Sequence, residues 1–202
     1  WHEPPPETHL LTTPIEQTPN ESEEVTITFE KGGPVAVNGQ GGTPAELVRM
    51  LNVLGGRHGI GRVDLVENRY VGIKSRGIYE TPGVTLLHTA HRAVESLTLD
   101  REVMLFRDSL IPNYAAQIYR GFWYSPECAL MRKLIDETQV PVNGTAKLRL
   151  YKGNATLIGR KSPNSLYSFS FATFEKDTVY DQQDAEGFIR INALRLRLRS
   201  LK

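Results

Sequence analysis

Val25, Ile27 and Phe29 alternate with Thr26, Thr28 and Glu30, the period of a half-buried strand. Lys31-Gly32-Gly33-Pro34 reads as a turn, and Val35-Ala36-Val37 as the returning strand. Thr43-Pro44-Ala45-Glu46 combines a capping box with proline at the first helical position. Leu47, Met50, Leu51 and Leu54 then form one apolar stripe at helical spacing, and Gly55-Gly56 is expected to stop the helix. Thr81-Pro82 opens a second helix, with Leu86, Leu87, Ala90, Val94 and Leu97 facing inward. A third begins near Asp100 and ends at Arg120-Gly121, with Pro112 expected to kink or restart it. Ser125-Pro126-Glu127 starts a fourth, with Leu130, Leu134 and Ile135 inward. Ala146, Leu148 and Leu150 alternate with Lys147, Arg149 and Tyr151. The turn Lys152-Gly153-Asn154 and the run from Ala155 complete a hairpin. Residues 162–181 read as irregular.

The last segment carries two periods at once. Leu194 to Arg199 alternates like a strand, whereas Ile191, Leu194, Leu198 and Leu201 repeat like a helix. Asp184 as N-cap and basic residues crowding the far end favour the helix. Leucines around so much of its circumference suit a helix that packs on another subunit. The expected fold is α+β: a mostly antiparallel sheet from the Val25, Val63, Lys147 and Ala155 strands, helices packed on it, and a protruding C-terminal oligomerisation helix. Three divisions follow: an arm over residues 1–22, a domain over 23–182 and the terminal helix over 183–202.

The arm holds five of the chain's 12 prolines, each fixing φ and removing a donor. It reads as an extended linker that Trp1, Leu10, Leu11 and Ile15 tack to a neighbouring surface. The start at Trp1 reads as a piece of a longer polypeptide. Composition is that of a soluble globular protein, 40% hydrophobic and 23% charged over 202 residues. A net charge of +1 argues against a dedicated nucleic-acid binder. No apolar run approaches the ~20 residues of a membrane span. A single cysteine, Cys128, excludes an internal disulfide and a cysteine-rich zinc site, and fits a reducing, cytoplasmic compartment.

Several tempting sites read as structural. Gly56-Arg57-His58-Gly59-Ile60-Gly61 follows a helix and opens a strand, the reverse of a dinucleotide loop. His88 and His91 share a helical face without an evident third ligand, so no metal site is expected. Phe122-Trp123-Tyr124 lacks a basic stripe and reads as core or interface packing. Cys128 reads as a packed thiol in a first helical turn.

The stretch GRVDLVENRYVGIKSRGIYETPG, residues 61–83, is different. After a strand-like start it places Glu67, Asn68, Arg69, Lys74, Ser75, Arg76, Tyr79 and Glu80 close together, with glycines between. This is a strand that surfaces at a polar cleft, turns and presents carboxylates, cations and a phenol. Read alone, Glu67 serves equally well in a salt bridge to Arg69 or Arg76, and Tyr79 as a packed ring with a wet hydroxyl.

This stretch closely resembles the argininosuccinate synthase family. The likeness continues through DREV at 100–103, GFWYSPEC at 121–128, SLY at 165–167 and DAEGFIRINALRLR at 184–197. It covers nearly the whole chain and corresponds to the C-terminal half of such an enzyme. The resemblance implies an ATP-dependent ligase that joins citrulline to aspartate, with Mg2+, usually as a homotetramer. The family's pyrophosphate loop and aspartate-binding residues belong to the other half, so the piece alone is expected to be inactive. Two positions carry over: Glu67 of the VEN triplet and Tyr79 of GIYETP, which the resemblance makes citrulline-binding. No catalytic residue is assigned. The alternative is a non-catalytic oligomerisation or interaction module derived from the same family.

Overall fold

The computed structural model describes residues 1–168, 181 and 183–200. Two compact units divide at Leu166 and Tyr167.

The first unit is built on an antiparallel sheet. Its strands are β1 (Glu23–Glu30), β2 (Gly33–Val37), β3 (Gln40–Gly41), and two more that follow the helices. Between β3 and those last strands come α1 (Pro44–Arg57), the hairpin strands β4 (Arg62–Asn68) and β5 (Lys74–Glu80), and the helices α2 (Pro82–Thr98), α3 (Arg101–Tyr119) and α4 (Pro126–Thr138). The strands β6 (Gly144–Tyr151) and β7 (Asn154–Lys161) close the sheet. Its spatial order is β3-β2-β1-β6-β7.

The predicted alternation sets the core. Val25, Ile27 and Phe29 of β1, and Ala146, Leu148 and Leu150 of β6, are all buried on one face. Thr26 and Lys147 pair on the other. Leu47 and Leu51 of α1, and Leu86, Ala90 and Val94 of α2, complete the apolar cluster. The capping box forms as read: Thr43 Oγ1 accepts from the Glu46 amide, and the Glu46 carboxylate accepts from the Thr43 amide. Leu148→Ala should cost about 2–5 kcal/mol of stability, because the sheet and helices around it can only partly close the cavity. A shift in the urea unfolding midpoint measures it; an unchanged midpoint would remove Leu148 from the core.

Several expectations need correction. The Val63 strand does not join the main sheet; β4 pairs only with β5, in a separate two-stranded sheet. Its apolar residues are correspondingly exposed, including Val63, Leu65 and Val66. Gly55-Gly56 does not stop α1, which runs to Arg57. These glycines permit close approach instead: a Cβ on Gly56 would collide with the Leu11 carbonyl oxygen, and one on Gly55 would stand 3.0 Å from Pro82 Cβ. Pro112 does not restart α3, which is a single helix. Leu130 and Leu134 of α4 are exposed rather than inward, and so are Phe122, Trp123 and Tyr124, which rules out core packing for that cluster. Cys128 is buried, as expected of a packed thiol.

The arm is tacked down, but chiefly by polar atoms. Glu80 accepts from the amides of Leu10, Leu11 and Thr12 at 2.6, 3.0 and 2.9 Å, and from the Thr12 hydroxyl. Arg62 donates to the Thr12 hydroxyl and carbonyl at 2.7 and 2.9 Å. Trp1, Leu10 and Leu11 stay exposed, so they are not the tacks; of the four apolar residues expected to hold the arm, Ile15 alone reaches the domain closely, with Cδ1 beside Gly59 and Gly153. Burial pushes the Glu80 carboxyl up, but these hydrogen bonds outweigh it and hold the carboxyl below its ordinary range. Glu80→Ala should therefore release the arm. Faster amide exchange at residues 10–12, with the sheet amides unchanged, is the expected result; unchanged exchange would mean the arm is held elsewhere.

In the second unit, the helical reading of the C-terminal segment holds, as two helices: α5 (Asp184–Asn192) and α6 (Leu194–Ser200), meeting at Ala193. Asp184 is the first helical residue rather than the cap, and Gln183 precedes it without a side-chain cap bond. Phe188, Ile189, Ile191, Leu194, Leu196 and Leu198 are exposed. Residues 169–180 of the segment read as irregular, and Leu201 of the helical stripe, lie outside the described residues.

Candidate functional site

The β4–β5 hairpin has two chemically distinct faces because successive side chains on a strand point to opposite sides. Its register pairs Val63 with Tyr79, Leu65 with Gly77 and Glu67 with Ser75, which puts these six on one face. Arg62, Asp64, Arg76 and Glu80 fall on the other.

That second face is committed to structure. Glu80 and Arg62 hold the arm, as described above. Arg76 donates to both Asp64 oxygens, at 2.8 and 2.5 Å, and to the His2 carbonyl at 2.7 Å. The hydrogen bonds from Arg76 hold the Asp64 carboxyl below its ordinary range. Arg76 is therefore neither a partner of Glu67 nor a free cation for a phosphate. Lys74-Ser75-Arg76-Gly77 is regular strand rather than a phosphate cradle.

The first face holds the two predicted residues, and they meet. Tyr79 Oη donates to Glu67 Oε1 at 2.8 Å. This bond, above all, pushes the Tyr79 phenol above its ordinary range. No ion pair engages Glu67 among the described residues, so the salt bridge weighed from sequence is absent there. The tip of the hairpin lies against the end of α3: Arg120 stacks over the Tyr70 ring at 5.8 Å.

The electronic consequence is specific. The Tyr79 proton is directed at Glu67, so the lone pairs of Oη remain available as acceptors. Glu67 Oε2 is an acceptor as well. The pair thus presents oxygen acceptors to anything that brings N–H groups, and most strongly to a cationic one. The surface is open. The larger clefts lie elsewhere, one of about 620 Å³ over Thr26, Thr145, Lys147 and Arg160, and one of about 570 Å³ beside His91, Arg107 and Gln139.

His91, considered from sequence beside His88, is engaged in packing and hydrogen bonding. Its ring lies edge-on to Phe29, and Nε2 is 2.9 Å from Gln139 Oε1. Burial pushes its pKa down, against the pull of nearby Glu95. No cluster of three or more His, Cys, Asp or Glu residues suited to a metal ion occurs among the described residues. No helix among them is long and apolar enough to cross a membrane.

One polar cluster escaped the sequence reading. Glu95 of α2 is fully buried. Arg107 Nη1 lies 2.6 Å from its Oε1 and Nη2 donates to Oε2 at 2.8 Å; Gln139 Nε2 donates to Oε1 at 3.0 Å. Arg92 joins Glu95 to Asp108. This network ties α2 to α3 and to the end of α4. Its available signal was an acid beside Val94 on an otherwise apolar helix face.

Comparison with known proteins agrees with the motif reading. The model of the argininosuccinate synthase C-terminal domain matches residues 1–199. An argininosuccinate synthase of Geobacter sp. (strain M21) is 60% identical over 202 residues, which is 100% of this chain and 50% of that protein. One from Rhodospirillum rubrum is 59% identical over 198 residues, 98% of this chain and 49% of that protein. One from Oleidesulfovibrio alaskensis is 57% identical over 197 residues, again 98% and 49%. The chain thus spans about half the length of the curated relatives it matches. On this identity, and on a motif set that runs from the hairpin to α5, the chain belongs to the argininosuccinate synthase family as its C-terminal domain.

Proposed function

We propose that this chain is the citrulline-binding half of a cytoplasmic ATP-dependent ligase that forms argininosuccinate, AMP and pyrophosphate from citrulline, aspartate and ATP. The observation that carries the proposal is the Tyr79–Glu67 pair, an acceptor set on an otherwise uncommitted hairpin face. Citrulline suits it: its α-ammonium and its ureido N–H groups are all donors. Glu67 and Tyr79 bind and orient the substrate. Neither is required as an acid or base.

In the reaction, the ureido oxygen of citrulline attacks ATP and displaces pyrophosphate. The aspartate amine then attacks the activated carbon and AMP leaves. Holding these partners together is largely a matter of positioning and charge stabilisation. The described residues offer no glycine-rich cradle for ATP and Mg2+, so that binding is assigned to the other half of the enzyme. An open hairpin face needs a second wall to enclose a small substrate, which the same half would supply. The exposed apolar residues of α5 and α6 support a further role in subunit contacts, in a homotetramer.

The test is an assay of a full-length synthase carrying this sequence as its C-terminal domain. Argininosuccinate and AMP should appear in equal amounts, dependent on citrulline, aspartate and ATP. Correct folding and oligomerisation without any product would favour the second reading, a non-catalytic interaction module, which the exposed apolar helices also fit.

A further inference from the structure

We propose that Gly77 is a positioning residue for citrulline, acting through the Tyr79 ring without touching the substrate; this rests on the reading of Tyr79 as a citrulline ligand. The rungs Val63–Tyr79 and Glu67–Ser75 are four residues apart on the ladder. At about 3.3 Å per residue, that separates them by about 13 Å along the strands. A tyrosine standing upright on a sheet does not span such a gap. Yet Tyr79 Oη reaches Glu67 Oε1 at 2.8 Å.

The ring does so by lying along the strand over the rung between, Leu65–Gly77. A Cβ placed on Gly77 would stand 2.7 Å from both Tyr79 Cζ and Oη, closer still to Cε2, and its three nearest neighbours are all atoms of that one ring. Gly77 is not among the positive-φ glycines, so its backbone accepts any residue. The glycine is therefore needed for space, and the space belongs to Tyr79. Even a methyl group there lifts the ring, breaks the bond to Glu67 and rearranges both acceptors. Because the obstruction is a side chain on an exposed face, the hairpin itself can keep its fold.

Four full-length synthases carrying this domain test the proposal: wild type, Gly77→Ala, Tyr79→Ala and the double variant. Gly77→Ala should raise the citrulline KM about tenfold, the effect of losing a hydrogen bond to a charged group. Its kcat, and its KM for ATP and aspartate, should stay near wild type. In the Tyr79→Ala background the same change should add nothing, since no ring remains to displace. Should Gly77→Ala alone unfold the domain, a double variant that melts with Tyr79→Ala would still place the conflict in the ring. An effect of Gly77→Ala that persists undiminished without the ring overturns the proposal. So does a normal citrulline KM for Gly77→Ala when Tyr79→Ala raises it, and in that case Tyr79 keeps its assignment. A normal citrulline KM for Tyr79→Ala removes both.

Discussion

Glu67→Ala in the full-length enzyme should raise the citrulline KM by about ten- to a hundredfold, the range expected when a charged hydrogen-bond partner is lost. The KM for ATP and for aspartate should change little, because the hairpin face offers those substrates no built site. The effect is large because nothing nearby can replace the carboxylate. On the same face Ser75 and Tyr79 are the remaining polar groups, and the neighbouring Asp64 and Glu80 point away and are engaged by Arg76 and by the arm. Tyr79→Phe should do less, roughly a few-fold to tenfold, since it removes one neutral donor and one acceptor. If Glu67→Ala left the citrulline KM unchanged, the carboxylate would be no ligand.

Glu95→Ala should destabilise the domain by about 3–5 kcal/mol, the cost of taking from a buried guanidinium its buried counter-charge and leaving it only the partly exposed Asp108, 2.9 Å from Nε. Arg107 is 6% exposed and cannot turn to water without opening the junction of α2 and α3. Gln139 Nε2 would also lose one of its two acceptors, keeping only the Thr138 hydroxyl. Replacing both partners with apolar residues, Glu95→Leu with Arg107→Met, should recover much of the loss, because no orphaned charge then remains. Urea unfolding of the two variants separates these outcomes, and a double variant no better than the single would contradict the account.

The same residue sets an acid limit. Burial raises the Glu95 carboxyl, but Arg107, His91 and Gln139 together hold it below the ordinary value of 4.5. With the folded value below the unfolded one, the stabilisation is complete above about pH 4.5. It is lost as the pH falls through the folded value. Glu95→Gln should therefore flatten the pH dependence of stability below pH 4.5. Equal slopes for wild type and variant would show that other carboxylates govern acid unfolding.

Much of the main sheet was legible because its information is local. Val25, Ile27, Phe29 and Ala146, Leu148, Leu150 alternate, and the capping box at Thr43 and the turn at Lys152-Gly153 lie within a few residues. What alternation cannot encode is the partner. The Val63 strand reads like the others, yet its hydrogen bonds go only to β5. A helical stripe has the same gap: Leu130 and Leu134 share a face, but spacing does not say what covers it. The motifs brought Glu67 and Tyr79 forward; the register puts them on one face, and the Tyr79 ring lying over Gly77 closes the remaining gap to one hydrogen bond. The buried network of Glu95, Arg107 and Gln139 draws on three elements, so no single window contains it. Gly77 was visible only as a glycine, and its role depends on where one ring lies.

The most direct test of the central claim is a crystal structure of the full-length enzyme with citrulline bound. Citrulline nitrogen atoms should lie within hydrogen-bond distance, about 3 Å, of Glu67 and of Tyr79 Oη, on the outward face of the hairpin. Citrulline bound with neither residue in reach would contradict the assignment and leave the Tyr79–Glu67 pair as a brace of the hairpin alone.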